Sequence, residues 1–373
     1  MPHFAKPAEG SWTEHYPELG TAPMSYEDSI SPEYYELERK AVFERTWLNV
    51  GRVEQVPEPG GGHFTKEIAA VGTSAELLRD AADGTLRAFR GGGPTGPVPI
   101  RCEVWEGFVF VNLDDDAEPL ATYLGTLAAG LEGYPFDRMT EVFRYRADIG
   151  SNWKLYMDAF AEFYHAPVLH AKQYVGNESR KLSSYGFEAL HYQLDGPHGM
   201  VSSWGGMAPP KDLNMVKPIE RVLRSGNFGP WDRPDIPGLD PLPPGLNPSG
   251  HKAWGIDSFV FFPNFMMVVW APGWYLTYHY WPTAYNRHTF EGTLYFVPAR
   301  TARDRVRQEL AAVTFKEFAL QDCNTLEATQ TMLQSRVVTH FPLNDQEILL
   351  RHLHRTAARY VAASADRQPA TPA

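Results

Sequence analysis

The sequence predicts an α+β protein: a small strand-rich N-terminal piece, then an antiparallel sheet wrapped against helices. Three observations carry that prediction. Residues 255–299 hold the runs "GIDSFVFFP", "NFMMVVWAP", "WYLTYHYWPT" and "TFEGTLYFVPA", which read as three or four antiparallel strands. Residues 301–336 contain neither proline nor glycine and read as one long helix. Residues 63–89 and 100–114 read as strand pairs, with the turn pairs Asp83-Gly84 inside "ADGTL" and Glu106-Gly107 inside "IRCEVWEGFVFVNLD".

The remaining elements follow in chain order. Residues 1–25 show no periodicity and read as an arm. The segment "SPEYYELERKAVFERTWLNVGR" opens with Ser31 as N-cap, Pro32 at N1 and an early acid, then runs as a helix to Trp47 and stops before Gly51. "RGGGPTGPVP" (90–99) packs four glycines and three prolines into one stretch, so a loop or a splice is expected there. "EVFRYRADIG" (141–150) reads as a strand. Residues 151–167 switch to helical period, with Ser151 or Asn152 as N-cap and Pro167 as the stop. Residues 171–255 are rich in glycine and proline and read as irregular lids or pocket walls. A last helix is expected over 344–363, before a polar tail.

Composition narrows the function classes. Hydrophobic content of 43% and aromatic content of 13% are those of a soluble globular protein. Net charge is −11, and the 34 basic residues are scattered, with no cluster to track phosphates; nucleic-acid binding is not expected. No apolar run reaches the ~18 residues of a membrane span. The longest, residues 259–276, is broken by Pro263, Asn264, Pro272 and Gly273, and reads as two buried strands and the start of a third. The first residues lack the apolar core of a secretory signal. With only Cys102 and Cys323, neither a disulfide framework nor a four-thiolate metal site is available, and a cytoplasmic protein with free thiols is expected.

The chemistry concentrates in "EFYHAPVLH" (162–170), which places Glu162, His165 and His170 among apolar residues. On a helix, Asp158, Glu162 and His165 fall at i, i+4 and i+7, a single polar stripe on an otherwise buried element. His170 lies about 140° further round an ideal helix, so the two imidazoles meet only if the helix ends between them; Pro167 is the expected ending. Two histidines and one carboxylate on one face suit non-haem Fe(II). Asp322, seven and four residues after Phe315 and Phe318 on the long helix, is an acid on an apolar stripe and a candidate third ligand. From spacing alone the bland readings stay open: two core histidines, Asp322 in a salt bridge, Glu162 paired with Lys154 or Arg144. Phe261, Phe265, Met267, Trp270 and Tyr278 are candidates for an apolar pocket wall or for plain core.

The segment "NWKLYMDAFAEFYHAPVLH" (152–170) resembles the catalytic α-subunits of Rieske non-haem iron oxygenases, the ring-hydroxylating dioxygenase group. The resemblance spans roughly 25–90 and 100–363. It implies a helix-grip (START-like) catalytic domain over 115–363, with 1–50 as N-terminal arm and helix, 51–114 as the remnant strands of a Rieske-type domain, and 364–373 as tail. It further implies a mononuclear Fe(II) held by His165, His170 and Asp322. Glu162 matches the acid that bonds an iron-ligand histidine and links it to a neighbouring subunit's cluster; Asp158 lies where a polar residue lines the pocket.

One departure is plain. The family's Cys-x-His and Cys-x-x-His pairs, which hold a 2Fe-2S cluster, are missing, and "RGGGPTGPVP" stands in their place. The expectation is therefore an oxygenase domain that hydroxylates an apolar, aromatic or alicyclic substrate with dioxygen. Its electrons would come from outside the chain: a ferredoxin or reductase, a cluster-bearing neighbour in a homo- or heterotrimer, or peroxide as the source of both oxygen and electrons. A non-enzymatic carrier of apolar ligands and an inactive structural subunit are the alternatives.

Overall fold

The computed structural model describes residues 10–91, 96–170, 189–203, 217–226, 229–252 and 254–365. Two antiparallel sheets form its frame. Helix α1 (Pro32–Glu38) begins where Ser31 accepts a hydrogen bond from the Tyr34 amide at 3.1 Å, as the N-cap signal predicts. It passes into a wider π-turn over Arg39–Phe43, and strand begins at Leu48, so the regular helix is shorter than its pattern suggested.

The first sheet comprises β1 (Leu48–Arg52), β2 (Phe64–Ile68), β3 (Thr73–Arg79), β4 (Leu86–Gly91), β5 (Val98–Trp105) and β6 (Phe108–Asn112), in the order β1-β6-β5-β4-β3-β2. Both expected turns are present. Glu106 and Gly107 have φ of +47° and +80°, the two consecutive left-handed residues of a tight hairpin. The positive φ at Gly107 favours glycine, and a Cβ there would stand 2.7 Å from the Arg52 guanidinium, which would have to shift. The glycine-rich stretch is less irregular than expected at its ends, since β4 runs through Gly91 and β5 begins at Val98; residues 92–95 lie outside the described residues.

Helix α2 (Leu120–Ala129) leads to the second sheet: β7 (Glu141–Ile149), β8 (Ala189–Asp195), β9 (His198–Ser203), β10 (Ile256–Phe261), β11 (Phe265–Trp270), β12 (Trp274–Ala284) and β13 (Arg287–Phe296), ordered β7-β13-β12-β11-β10-β9-β8. The four strands predicted between 255 and 299 are β10 to β13. Strands β8 and β9 correct the reading of 171–255 as irregular. Their hairpin, turning at Gly196 with φ +55°, was hidden by the glycines and prolines around it. Residues 171–188 and 204–216 of that stretch lie outside the described residues.

Both faces of this sheet are covered, which is why β10 and β11 are buried at every position. On one face Trp270 and Trp274 meet Phe315 of the long helix, with Met266 and Tyr278 in the same cluster; on the other Phe259, Phe261, Phe265 and Met267 pack with Phe108, Phe110, Leu120 and Tyr123. Strand alternation thus separates the five proposed pocket residues. Phe261, Phe265 and Met267 point away from the long helix, so they cannot wall a pocket on that side.

Helices α3 (Trp153–Phe160), α4 (Ala166–Leu169), α5 (Ala302–Gln334) and α6 (Ile348–Ala365) cover the first face. Thr301 and Asp304 form a capping box at the start of α5. Residues 10–25 of the N-terminal arm are docked, not featureless: Met24–Ser25 pairs with His340–Phe341, and Asp345 accepts from the Trp12 and Thr13 amides. Asn264 ties the sheets together, accepting from the Asn49 amide at 3.2 Å and donating to its carbonyl at 3.1 Å.

Candidate metal centre

Helix α3 is anchored by its N-cap Asn152 and by Lys154. The Asn152 side chain accepts from the Lys154 amide at 3.0 Å and donates to the Tyr285 carbonyl at 2.7 Å. Lys154 is fully buried and pairs with the equally buried Glu38 at 2.6 Å, so it is not the partner of Glu162. Arg144 is on β7, in the wall of a different cavity.

The helix stops at Phe160, earlier than predicted. Nothing in the sequence marks that stop. Pro167 is not the terminator but occupies the first turn of the short helix α4, where its missing N–H costs nothing. His165 and His170 are the residues that flank α4 at its two ends. The i, i+4, i+7 stripe therefore does not exist as one helical face, because Glu162 and His165 lie beyond the end of α3. The convergence survives for another reason: a four-residue helical turn brings the two rings within 5.2 Å of each other, edge to face.

Asp322 meets them from α5, on the buried stripe that also carries Phe315, Phe318 and Leu326. Its Oδ1 lies 3.4 Å from His170 Nε2 and 3.9 Å from His165 Nε2. Ligand atoms from all three residues fall within 4.8 Å of one another. The other ring nitrogens are engaged elsewhere. His165 Nδ1–H donates to Glu162 Oε1 at 2.6 Å, and His170 Nδ1–H donates to Gln321 Oε1 at 2.7 Å. Both Nε2 lone pairs are left facing Asp322, the tautomer that metal-binding imidazoles adopt.

The electrostatics ask for a cation. Asp322 is 1% exposed, and neither of its carboxylate oxygens has a hydrogen-bond partner among the described residues. Burial pushes its carboxyl up to about 7 against the pull of His165. Burial likewise lowers His170 to about 4. At His165 burial pushes down, but the Glu162 carboxylate outweighs it and the net shift is upward. A buried acid without a donor is an unstable arrangement that a bound divalent ion would satisfy. The residues present fit such an ion, in the two-imidazole, one-carboxylate set that suits non-haem iron.

A cavity of about 270 Å³ adjoins the group, bordered by Asp158, Glu162, His165 and Asp322 and by apolar residues including Leu155, Ala159 and Leu326. None of the five proposed wall residues borders it. Asp158 accepts from His354 Nε2 at 3.0 Å, and His354 Nδ1 donates to Asp28 at 2.6 Å. His354 and Gln321 escaped the sequence reading. Each had a signal: His354 lies on the apolar face of α6 with Leu350 and Leu353, and Gln321 directly precedes Asp322.

Fold and site together define an α+β protein with a candidate mononuclear His–His–Asp centre between a short helical turn and a long helix. The chain belongs to the ring-hydroxylating α-subunit family: the model of its catalytic domain matches residues 136–363. No curated protein matches the sequence. In fold the chain is similar to a quaternary ammonium Rieske monooxygenase, one whose structure bears on carnitine oxidation by gut microbiota and on inter-subunit electron transfer. That match has 16% identity, covers 96% of this chain and 100% of the other, and has a TM-score of 0.67. Naphthalene 1,2-dioxygenase from Rhodococcus sp. with bound indole is also similar, at 15% identity, 92% and 94% coverage and a TM-score of 0.63. At these identities the likeness establishes the fold.

The two cysteines of the chain stand on separate elements. Cys102 lies within β5 opposite Val111, and Cys323 lies on α5 beside the Tyr156 hydroxyl at 3.4 Å. Both thiols are free, and burial pushes Cys102 up to about 12. Two cysteines on separate elements cannot supply the paired thiolates that a Rieske cluster needs. Among the described residues no helix is long and apolar enough to cross a membrane.

Proposed function

We propose that this chain is a mononuclear Fe(II) oxygenase that hydroxylates an apolar, aromatic or alicyclic substrate with dioxygen, drawing its electrons from a donor outside the chain. His165, His170 and Asp322 are the iron ligands in this reading, and residues 115–363 form a helix-grip catalytic domain behind a cluster-free remnant over 51–114. The observation that carries it is the unpartnered, buried Asp322 carboxylate facing two Nε2 atoms.

When bound, ferrous iron supplies the redox chemistry with dioxygen. The chain's own residues do the rest. Glu162 holds the proton on His165 Nδ1, fixing that ring's orientation and raising its basicity; Gln321 does the same for His170 without a charge. Leu155, Ala159 and Leu326 give the adjoining cavity a mainly apolar lining that suits an apolar substrate and excludes water. Asp158, held by His354, is one of the polar groups on its wall. Glu162 lies in the same wall, and its hydrogen bond to His165 suits it to relay electrons from a donor in a neighbouring subunit of a trimer. Inter-subunit electron transfer is described for the quaternary ammonium monooxygenase of similar fold.

Metal analysis with an absorption spectrum tests the reading. About one iron per chain, without cluster bands, is expected. Turnover is expected with a cluster-bearing partner or with peroxide. Turnover with a reductase alone would contradict the missing relay. The absence of cluster ligands also favours a second reading, in which the chain is an inactive subunit that completes an oligomer. Iron-loaded protein that fails with every donor and copurifies with an active subunit would select it.

A further inference from the structure

A second cavity, of about 540 Å³, lies between the two sheets, walled by β1 and β2 on one side and by β7, β12 and β13 on the other. None of His165, His170 and Asp322 borders it. It is twice the size of the cavity beside the histidines and falls in the usual range of small-molecule sites, which concentrate at such junctions.

Its charge runs against that of the chain. Four cationic residues, Arg52, Lys66, Arg144 and Arg146, line it with only two carboxylates, Glu67 and Glu291, in a protein of net charge −11. Two of the cations are already neutralised. Arg52 is gripped by both oxygens of Glu54, at 3.0 and 2.9 Å, and lies 4.5 Å over the Phe108 ring. Lys66 pairs with Glu291 and stands 4.7 Å from the centre of the Trp281 ring.

Arg144 and Arg146 are different. They alternate on one face of β7, opposite Thr293 and Glu291 of β13, both of which line the cavity. Both are exposed, and neither makes an ion pair or hydrogen bond with a described residue. Burial lowers the Lys66 pKa, and the charge of Arg146 lowers it further, so the cations crowd one another.

The inner end of the cavity holds an unmet donor. Asn49 is fully buried, its Oδ1 accepts from His279 Nε2 at 2.7 Å, and its Nδ2 has no partner among the described residues. Native proteins rarely leave a buried amide donor unused. Two free guanidinium forks at the rim and one idle donor inside make a complement to oxyanions, which such forks bind two-pronged.

We propose that this cavity binds a small anion carrying carboxylate or phosphate groups, held by Arg144 and Arg146 and reaching the Asn49 amide. The six-stranded sheet, which has no cluster ligands, thereby keeps a binding role that does not depend on the iron reading. Titration calorimetry of the full chain at fixed ionic strength tests it, with inorganic pyrophosphate in one arm, citrate in a second and chloride as the control. Saturable binding in at least one anion arm is expected, with none for chloride, and the arm that responds identifies phosphate or carboxylate as the group recognised. An Arg144→Gln/Arg146→Gln variant is expected to bind at least tenfold more weakly with an unchanged melting temperature, since both side chains are exposed. His165→Ala is expected to bind as the parent does. Silence in both arms, parental affinity in the double variant, or loss of binding in His165→Ala would each overturn the proposal.

Discussion

The Asp322 carboxylate and the His170 imidazole face each other across 3.4 Å without either being satisfied by another donor at that edge. One belongs to a 33-residue helix and the other closes a four-residue one. Their approach is what turns a conspicuous stretch of sequence into a site.

Asp322→Asn separates metal binding from stability. The variant is expected to lose most of its iron, because the only carboxylate of the set is gone. Metal-free, it is expected to melt no lower than the parent, with a gain of up to about 1–2 kcal/mol, since a buried unpaired acid has been removed. Metal analysis together with thermal unfolding of the chelated protein checks both halves. A large loss of stability in the metal-free variant would show that Asp322 is a structural group.

Glu162→Gln keeps an oxygen for His165 Nδ1–H but removes the charge. Metal affinity is expected to fall by ~10–100-fold, as for other partners of metal-bound imidazoles. Chelator competition measures it. An unchanged affinity would leave Glu162 without a role at the metal.

His354 sits between two buried carboxylates, and its pKa reflects them: burial pushes down, but Asp28 and Asp158 outweigh it and hold it at about 10. The folded value lies above the ordinary imidazole value, so the native state binds the proton more tightly than the unfolded chain. The stabilisation is complete below about pH 6.5 and is lost as pH rises towards 10. At the acid end Asp28, held near 2 by His354 and Lys154 despite its burial, loses its contribution as pH falls below about 4. His354→Ala, which removes the partner shared by both acids, is expected to cost ~3–5 kcal/mol near neutrality and to flatten the alkaline slope. Denaturant unfolding at several pH values reads both.

Asn264→Ala tests the seam between the sheets. It leaves the buried Asn49 N–H and carbonyl without their partner, at a cost of roughly 2–4 kcal/mol for the two groups. Urea unfolding gives the magnitude. A cost below 0.5 kcal/mol, roughly the least that one lost hydrogen bond gives, would mean the sheets adhere by apolar contact alone.

Much of this was legible along the chain because the signals are local. The uninterrupted α5 follows from composition, as do the Glu106-Gly107 turn and the buried runs of β10 and β11. The break after Phe160 was not legible, since no glycine or proline marks it. The same holds for the sidedness of Phe261, Phe265 and Met267. Hydrophobicity does not tell which of two covered faces a strand residue takes when helices cap one and a second sheet the other.

The order of residues alone specified which groups could bind a metal, His165, His170 and Asp322, and that no paired thiolates accompany them. Packing in three dimensions settled that the three converge, that Glu162 and Gln321 take the outer ring nitrogens, and that Asp322 has no other partner among the described residues. Residue type and period are properties of neighbours along the chain. The distance between two remote side chains depends on how every intervening element packs, and no local pattern encodes it.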